Sequence, residues 1–235
     1  MKILIIRPWP SLLDVTKNTY NIQEVGLAKA LVKRGHSTDI LFWTDGDEMT
    51  VEVEAEGGKP WWQWSDRHAH YHTCIQDIYS YESRAAFWKF VQYIFYQQWG
   101  NIKAYANEKG VAVLGDMPIY VAMDSADVWS GLPLFLIDEK TLKPEKVAGV
   151  PPDYFSENGQ LWGNPLYDWA AMEKDGYGWW LSRLGHALTT YDAVRIDHFR
   201  AFASYWAVDA QAETAKVGQW LPGPGMKLFD KVFEV

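Results

Sequence analysis

Two apolar segments that each run into an aspartate, VAVLGDMPIYV at 111–121 and DAVRIDHF at 192–199, constrain this chain more than any other feature. A helical stretch precedes each of them. The first fits Arg84 to Lys109, with Phe87, Phe90, Val91, Ile94 and Phe95 at a 3–4 spacing, a break at Gly100 and an end at Gly110. The second fits Tyr177 to Thr190. Helix, strand, helix, strand is a βα alternation. It predicts two parallel strands, near 111–117 and 193–198, adjacent in one sheet with a right-handed crossover. The fold class is therefore α/β, as a barrel or a doubly wound sheet. The stretch from about 122 to 167 reads as irregular and is rich in Gly, Pro and Asp. A loop of that length in a compact domain is functional or disordered. Its six aromatic residues argue against disorder.

The first 56 residues have a different character. An apolar strand, Ile3 to Ile6, leads to a helical stretch from about Gln23 to Arg34, with Gly35 where a C-cap glycine belongs. A second strand, about Thr38 to Trp43, completes a small Rossmann-like β-α-β unit. The acidic stretch DGDEMTVEVEAEGG reads as a connector, and Gly57–Gly58 as the junction. Two segments are expected, 1–56 and 57–235. No GxGxxG occurs, so no nucleotide site is assigned.

Net charge is −8, with no basic stripe to offset it, which excludes a nucleic-acid backbone as the main partner. One cysteine, Cys74, cannot form an internal disulfide, which points to a reducing compartment. No run approaches the ~18 apolar residues of a membrane span, and MKILIIRPWP is too short for a secretory signal. A soluble, cytoplasmic protein with no membrane partner is expected. Fourteen tryptophans stand out. For any single one, helix and core packing is the preferred reading; the alternative is a sugar site, where the C–H face of glucose lies on an indole.

In a strand through 193–199, alternation puts Arg195 and Asp197 on one face. An arginine two residues before a strand-end aspartate orients the carboxylate and favours its charged form. A nucleophilic carboxylate needs both, and in α/β barrels such groups sit at the carboxyl ends of strands. An ordinary salt bridge would use the same spacing. A second cluster, RHAHYHTC, puts His68, His70, His72 and Cys74 at alternate positions. In a strand they would share one face, as zinc ligands do. A polar surface segment has the same pattern and is the preferred reading, so no metal site is assigned.

Longer blocks carry a family resemblance. GDMPIYVAMDSADVW, GVPPDYFSENGQLWGNPLYDW and YDAVRIDHFRAF, with FWKFVQYIFYQQW and TAKVGQWLPGPG beside them, closely resemble amylomaltases, the disproportionating 4-alpha-glucanotransferases. The resemblance runs from about 60 to 229. It implies a partial (β/α)8 TIM-type barrel of the alpha-amylase-like type, an alpha-1,4-glucan or maltooligosaccharide substrate, and no cofactor. Asp197 matches the nucleophile of a retaining mechanism and Arg195 its orienting arginine. Asp116 matches an acidic residue on the earlier barrel strand. Asp153, Tyr154, Phe155, Gln160, Trp162 and Asn164 fall in the loop covering the sugar subsites, and His198 follows the nucleophile as a sugar-binding residue. Residues 1–54, through MKILII, NIQEVGLAKALVKRGH and DILFW, resemble the opening of a family-four glycosyltransferase.

The chain also departs from the amylomaltase pattern. The block that carries the acid/base glutamate, AEDLG-like and shortly after GPG, is not seen, and Glu234 is the one glutamate after Gly225. The third family carboxylate and the early barrel blocks are missing too. Ala201 and Asp209 stand where the family has Gly and Pro. The expectation is a truncated glucanotransferase, inactive alone. The alternatives are a nucleotide-sugar glycosyltransferase-like protein and a non-catalytic glucan-binding fragment.

Overall fold

A computed structural model describes residues 2–7, 37–42, 57–74 and 82–234. The chain divides into two compact units, Met1–Gln92 with Asp124–Ser130, and Tyr93–Met123 with Gly131–Val235.

In the first unit, β1 (Lys2–Arg7) and β2 (Ser37–Phe42) pair in parallel, from Lys2 opposite Ser37 to Arg7 opposite Phe42. The expected helix between them lies outside the described residues. Two four-residue helices follow, α1 (Asp66–Ala69) and α2 (Tyr71–Cys74). The His/Cys run is therefore helical, and the one-sided ligand row expected of a strand does not form. The reason is aromatic packing. Trp129, on α4 (Ala126–Ser130), meets Trp64 and Tyr71 edge-on at 5.4 and 5.1 Å. Its Nε1 donates to His68 O at 3.0 Å. That bond and the buried Cys74 and Ala69 wrap the segment around Trp129.

Helix α3 (Glu82–Glu108) starts in the first unit and ends in the second. It runs through Gly100 without the expected break. A mid-helix glycine costs about 1 kcal/mol, and tertiary bonds outweigh that here. Trp99 Nε1 donates to Thr190 O at 2.8 Å, Lys103 Nζ to Thr189 O at 3.3 Å, and Tyr96 Oη bonds His186 Nε2 at 2.7 Å. Phe95 is the buried position, while Phe87 and Phe90 are exposed.

The second unit holds the predicted parallel pair, β3 (Leu114–Pro118) and β8 (Ala193–Asp197). β3 is shorter than the apolar run suggested and only partly buried: Gly115 is enclosed, while Leu114 is exposed, as is Val111 before the strand. Its partner among the described strands is β8, which covers one edge and neither face. The stretch read as irregular is ordered. β4 (Ile137–Asp138) and β5 (Lys143–Pro144) form a short hairpin. β6 (Lys146–Val150) and β7 (Gln160–Pro165) join β9 (Ser204–Asp209) and β10 (Gly218–Pro222) in an antiparallel sheet of order β10-β9-β6-β7.

Helices α5 (Trp169–Lys174), α6 (Gly178–Thr190) and α7 (Met226–Glu234) complete the unit. Asp168 caps α5 by accepting from Ala171 N at 2.9 Å. The core is aromatic. Trp180 is fully buried, stacked on Trp169 at 6.2 Å and edge-on to Phe202 at 5.1 Å and Tyr167 at 5.6 Å. Burying one such indole is worth on the order of 5 kcal/mol before chain entropy is set against it. This cluster supports the 3-10 turn Phe199–Phe202 from below and so fixes where the chain leaves β8.

Candidate active site

Register builds the centre of the site. Asp116 on β3 lies opposite Arg195 on β8, and Pro118 lies opposite Asp197. Alternation puts Arg195 and Asp197 on one face of β8, and the parallel pairing adds Asp116 to it. The Arg195 guanidinium bridges both acids. Its Nη1 donates to Asp116 Oδ1 and its Nη2 to Asp197 Oδ1, each at 2.5 Å. These bonds, Asp116 first, push the Arg195 pKa above its ordinary value. The cation is thus permanent at any working pH. All three side chains are more than half exposed, at 54, 66 and 57% for Arg195, Asp116 and Asp197. Water screens such pairs, so they orient the carboxylates more than they stabilise the fold.

His198 follows directly, with φ 52° and ψ 39°. That left-handed conformation is uncommon outside glycine, though histidine is among the residues enriched there. It turns the chain out of β8 immediately after Asp197. The His198 ring meets Trp162 edge-on at 4.8 Å. Burial lowers its pKa, Asp197 opposes that shift, and Arg200 adds to it. Trp162 sits on β7, where its Nε1 donates to Gln160 Oε1 at 3.0 Å. Asn164 Nδ2 donates to Val121 O at 2.9 Å, tying β7 to the chain leaving β3.

The remaining expected residues form a separate tip. Asp153 Oδ1 accepts from Phe155 N at 2.9 Å and Ser156 N at 2.8 Å, so its carboxylate shapes its own turn. Tyr154 and Phe155 stand edge-on at 5.6 Å, 97 and 91% exposed. The structure thus brings Asp116, Arg195 and Asp197 together, with His198, Trp162 and Gln160 alongside, and holds Asp153, Tyr154 and Phe155 apart.

Two side chains that sequence reasoning passed over complete the surroundings. Tyr120 is buried, stacked on Tyr167 at 5.8 Å and 6.3 Å from Trp162. Burial, with Tyr167 and Tyr205 nearby, pushes its pKa far above the usual phenol range. Arg183 on α6 donates to Pro118 O and Ile119 O at the end of β3. A single arginine on a helix carries no sequence signal for such a task. Among the described residues, no group of three or more His, Cys, Asp or Glu side chains could hold a metal ion. Nor is any helix among them long and apolar enough to cross a membrane.

Comparison with known proteins identifies the family. The profile of the 4-alpha-glucanotransferase family Glyco_hydro_77 matches residues 49–234. A 4-alpha-glucanotransferase of Clostridium butyricum is 54% identical over 148 residues, 63% of this chain and 30% of that protein. One from Thermus thermophilus is 46% identical over 197 residues, 83% of this chain and 39% of that protein. The solved structure of an amylomaltase from Streptococcus agalactiae, in complex with acarbose, matches with a TM-score of 0.74 at 35% identity. That match covers 94% of this chain and 43% of that one. The chain thus spans less than half the length of each of these relatives. The comparisons lend no support to the glycosyltransferase resemblance of residues 1–54. By the extent of the family match, this chain belongs to the 4-alpha-glucanotransferase family.

Proposed function

We propose that this chain carries the nucleophile side of a retaining 4-alpha-glucanotransferase acting on alpha-1,4-glucan, with Asp197 as nucleophile. The observation behind this reading is the Arg195 bridge from Asp116 on β3 to Asp197, the last residue of β8. One Asp197 oxygen is held by Arg195, which leaves Oδ2 to attack. Attack at the anomeric carbon forms a C1–O ester and breaks the C1–O4 bond of the donor. The departing O4 takes a proton from a general acid. The 4-hydroxyl of an acceptor glucan then attacks C1, gives up its proton to the same group, and frees Asp197.

Arg195 holds both carboxylates as hydrogen-bond acceptors through Oδ1, and the general-acid role is assigned to neither. Asp116, through Oδ2, is assigned to a sugar hydroxyl. Trp162 offers an indole face, and Gln160, Asn164 and His198 offer polar contacts around it. The exposed Tyr154 and Phe155, on their own loop tip, are assigned to an acceptor subsite, where excluding water favours transfer over hydrolysis. With the acid role filled by neither Asp116 nor Asp197, the chain alone is expected to bind glucan and to turn over maltotriose slowly. Loss of general-acid help costs roughly 10²–10⁴-fold.

The test removes the need for an acid. A 5-fluoro glycosyl fluoride has a leaving group that departs without protonation, and its ring fluorine slows breakdown of the covalent intermediate. Mass spectrometry of the treated chain should find a glycosyl adduct on the peptide bearing Asp197, absent in Asp197→Asn. No adduct, or an adduct elsewhere, removes the nucleophile assignment.

A further inference from the structure

The chain leaves β3 through Pro118–Val121, and its carbonyls are captured one after another. Arg183 Nη2 donates to Pro118 O at 2.7 Å, and Arg183 Nη1 donates to Ile119 O at 3.0 Å. Tyr167 Oη also donates to Ile119 O, at 2.6 Å, and Asn164 Nδ2 holds Val121 O. Successive carbonyls of an extended strand point in opposite directions. Two consecutive ones that meet a single guanidinium show that the chain turns out of the strand here, two residues after Asp116.

Arg183 is itself fixed in place. Its guanidinium carbon lies 5.1 Å from the Trp179 ring and 5.1 Å from the Trp180 ring. These are the i−4 and i−3 neighbours on α6. Its Nη1 is also 3.4 Å from Tyr167 Oη. The planar fork with several donors is what lets one side chain serve two carbonyls and lie against aromatic rings. A lysine ammonium has no such plane.

What the turn positions is Tyr120. Its ring is buried between Tyr167, at 5.8 Å, and Trp162, at 6.3 Å. Trp162 in turn meets His198, the residue after Asp197. We propose that Arg183 is a positioning residue: by holding the Pro118 and Ile119 carbonyls it sets Tyr120, and through Tyr120 the Trp162–His198 pair beside Asp197. The consequence for glucan rests on the function proposed above, whereas the consequence for Trp162 does not.

The test is Arg183→Lys in the full chain, with two readouts. In ¹⁵N-labelled protein the Trp162 indole N–H resonance is assigned by its loss in Trp162→Phe. It should move in Arg183→Lys, while the Trp64 indole resonance stays. Maltoheptaose affinity, by calorimetry, should fall by roughly tenfold, the size expected for losing one charge-assisted hydrogen bond from the support of a site. Tyr167→Phe removes a second bond to Ile119 O and should move the same resonance, which covers the case of a lysine variant that does not fold. An unmoved Trp162 resonance in a folded variant overturns the proposal. A moved resonance in a protein that binds no glucan even as wild type upholds the positioning and removes the function proposed above.

Discussion

Gly115, the residue before Asp116, leaves room for a ring. A Cβ placed on it would lie 2.3 Å from Tyr191 Cδ2 and 2.6 Å from Cγ. Carbon atoms rest at about 3.5–4.0 Å, so Gly115→Ala requires more than an ångström of movement between β3 and Tyr191. The ring has limited freedom, because it also packs edge-on against Trp99 at 5.9 Å. Overpacking of this kind costs about 1–3 kcal/mol. For a chain of this size ~2 kcal/mol lowers the melting midpoint by roughly 4–8 °C. The assay is denaturant unfolding of the single variants and the double variant with Tyr191→Ala. Without the ring, the three atoms nearest the added methyl are gone, and the methyl removes the conformational freedom of a strand glycine. The penalty of Gly115→Ala should then vanish or change sign, with a coupling of at least about 1 kcal/mol. Additive effects, within about 0.5 kcal/mol, would show that Tyr191 does not set the space at Gly115.

Two further outcomes follow from the site. Because burial lowers the His198 pKa below 6.5, the unfolded chain binds more protons than the folded one between the two values. His198 therefore contributes stability that is complete above pH ~6.5 and lost as pH falls through its folded pKa. The melting midpoint should drop further on acidification in the wild type than in His198→Gln, and equal drops would contradict that. Asp197→Asn should leave the melting midpoint almost unchanged, since Asp197 is exposed and its pair with Arg195 is screened. A large loss measured by calorimetry would make the bridge a structural element first.

Legibility followed the range of the forces. The apolar runs at 111–121 and 192–199, with a helix before each, were enough to anticipate parallel β3 and β8. Strand alternation was enough to put Arg195 and Asp197 on one face. The opposition of Asp116 and Arg195 depends on register between strands 79 residues apart, and residue types alone do not set it. The antiparallel sheet was hidden because β6 and β7 are short, carry Gly149 and Gly163, and shift register between Val147 and Gly149. β6 also takes its other neighbour, β9, from about 60 residues further along. Gly100 misled because propensity is a weak prior against the bonds α3 makes to the end of α6. The helical form of the His/Cys run was not legible, because the segment packs around Trp129, 61 residues beyond His68.

The same division explains how the site is built. Arg195 and its two acids are exposed, so they add little to stability, and their geometry must be held from elsewhere. β3 and β8 set the three Cα positions, and Oδ1 of each acid is pinned by the guanidinium. Behind them, the left-handed turn at His198 and the captured carbonyls of Pro118 and Ile119 redirect both chains as they leave the strands. Those turns rest in turn on Trp180, Tyr167 and Phe202, which are buried. The bridged carboxylates are exposed to solvent, and their orientation is supplied by a buried aromatic core. Under the function proposed above, an exposed polar centre on an aromatic base suits a substrate whose apolar faces are edged with hydroxyls. Trp180 is core, Trp162 meets the residue after Asp197, and Tyr120 and Tyr167 connect the two; under the function proposed above, tryptophan serves packing and recognition together.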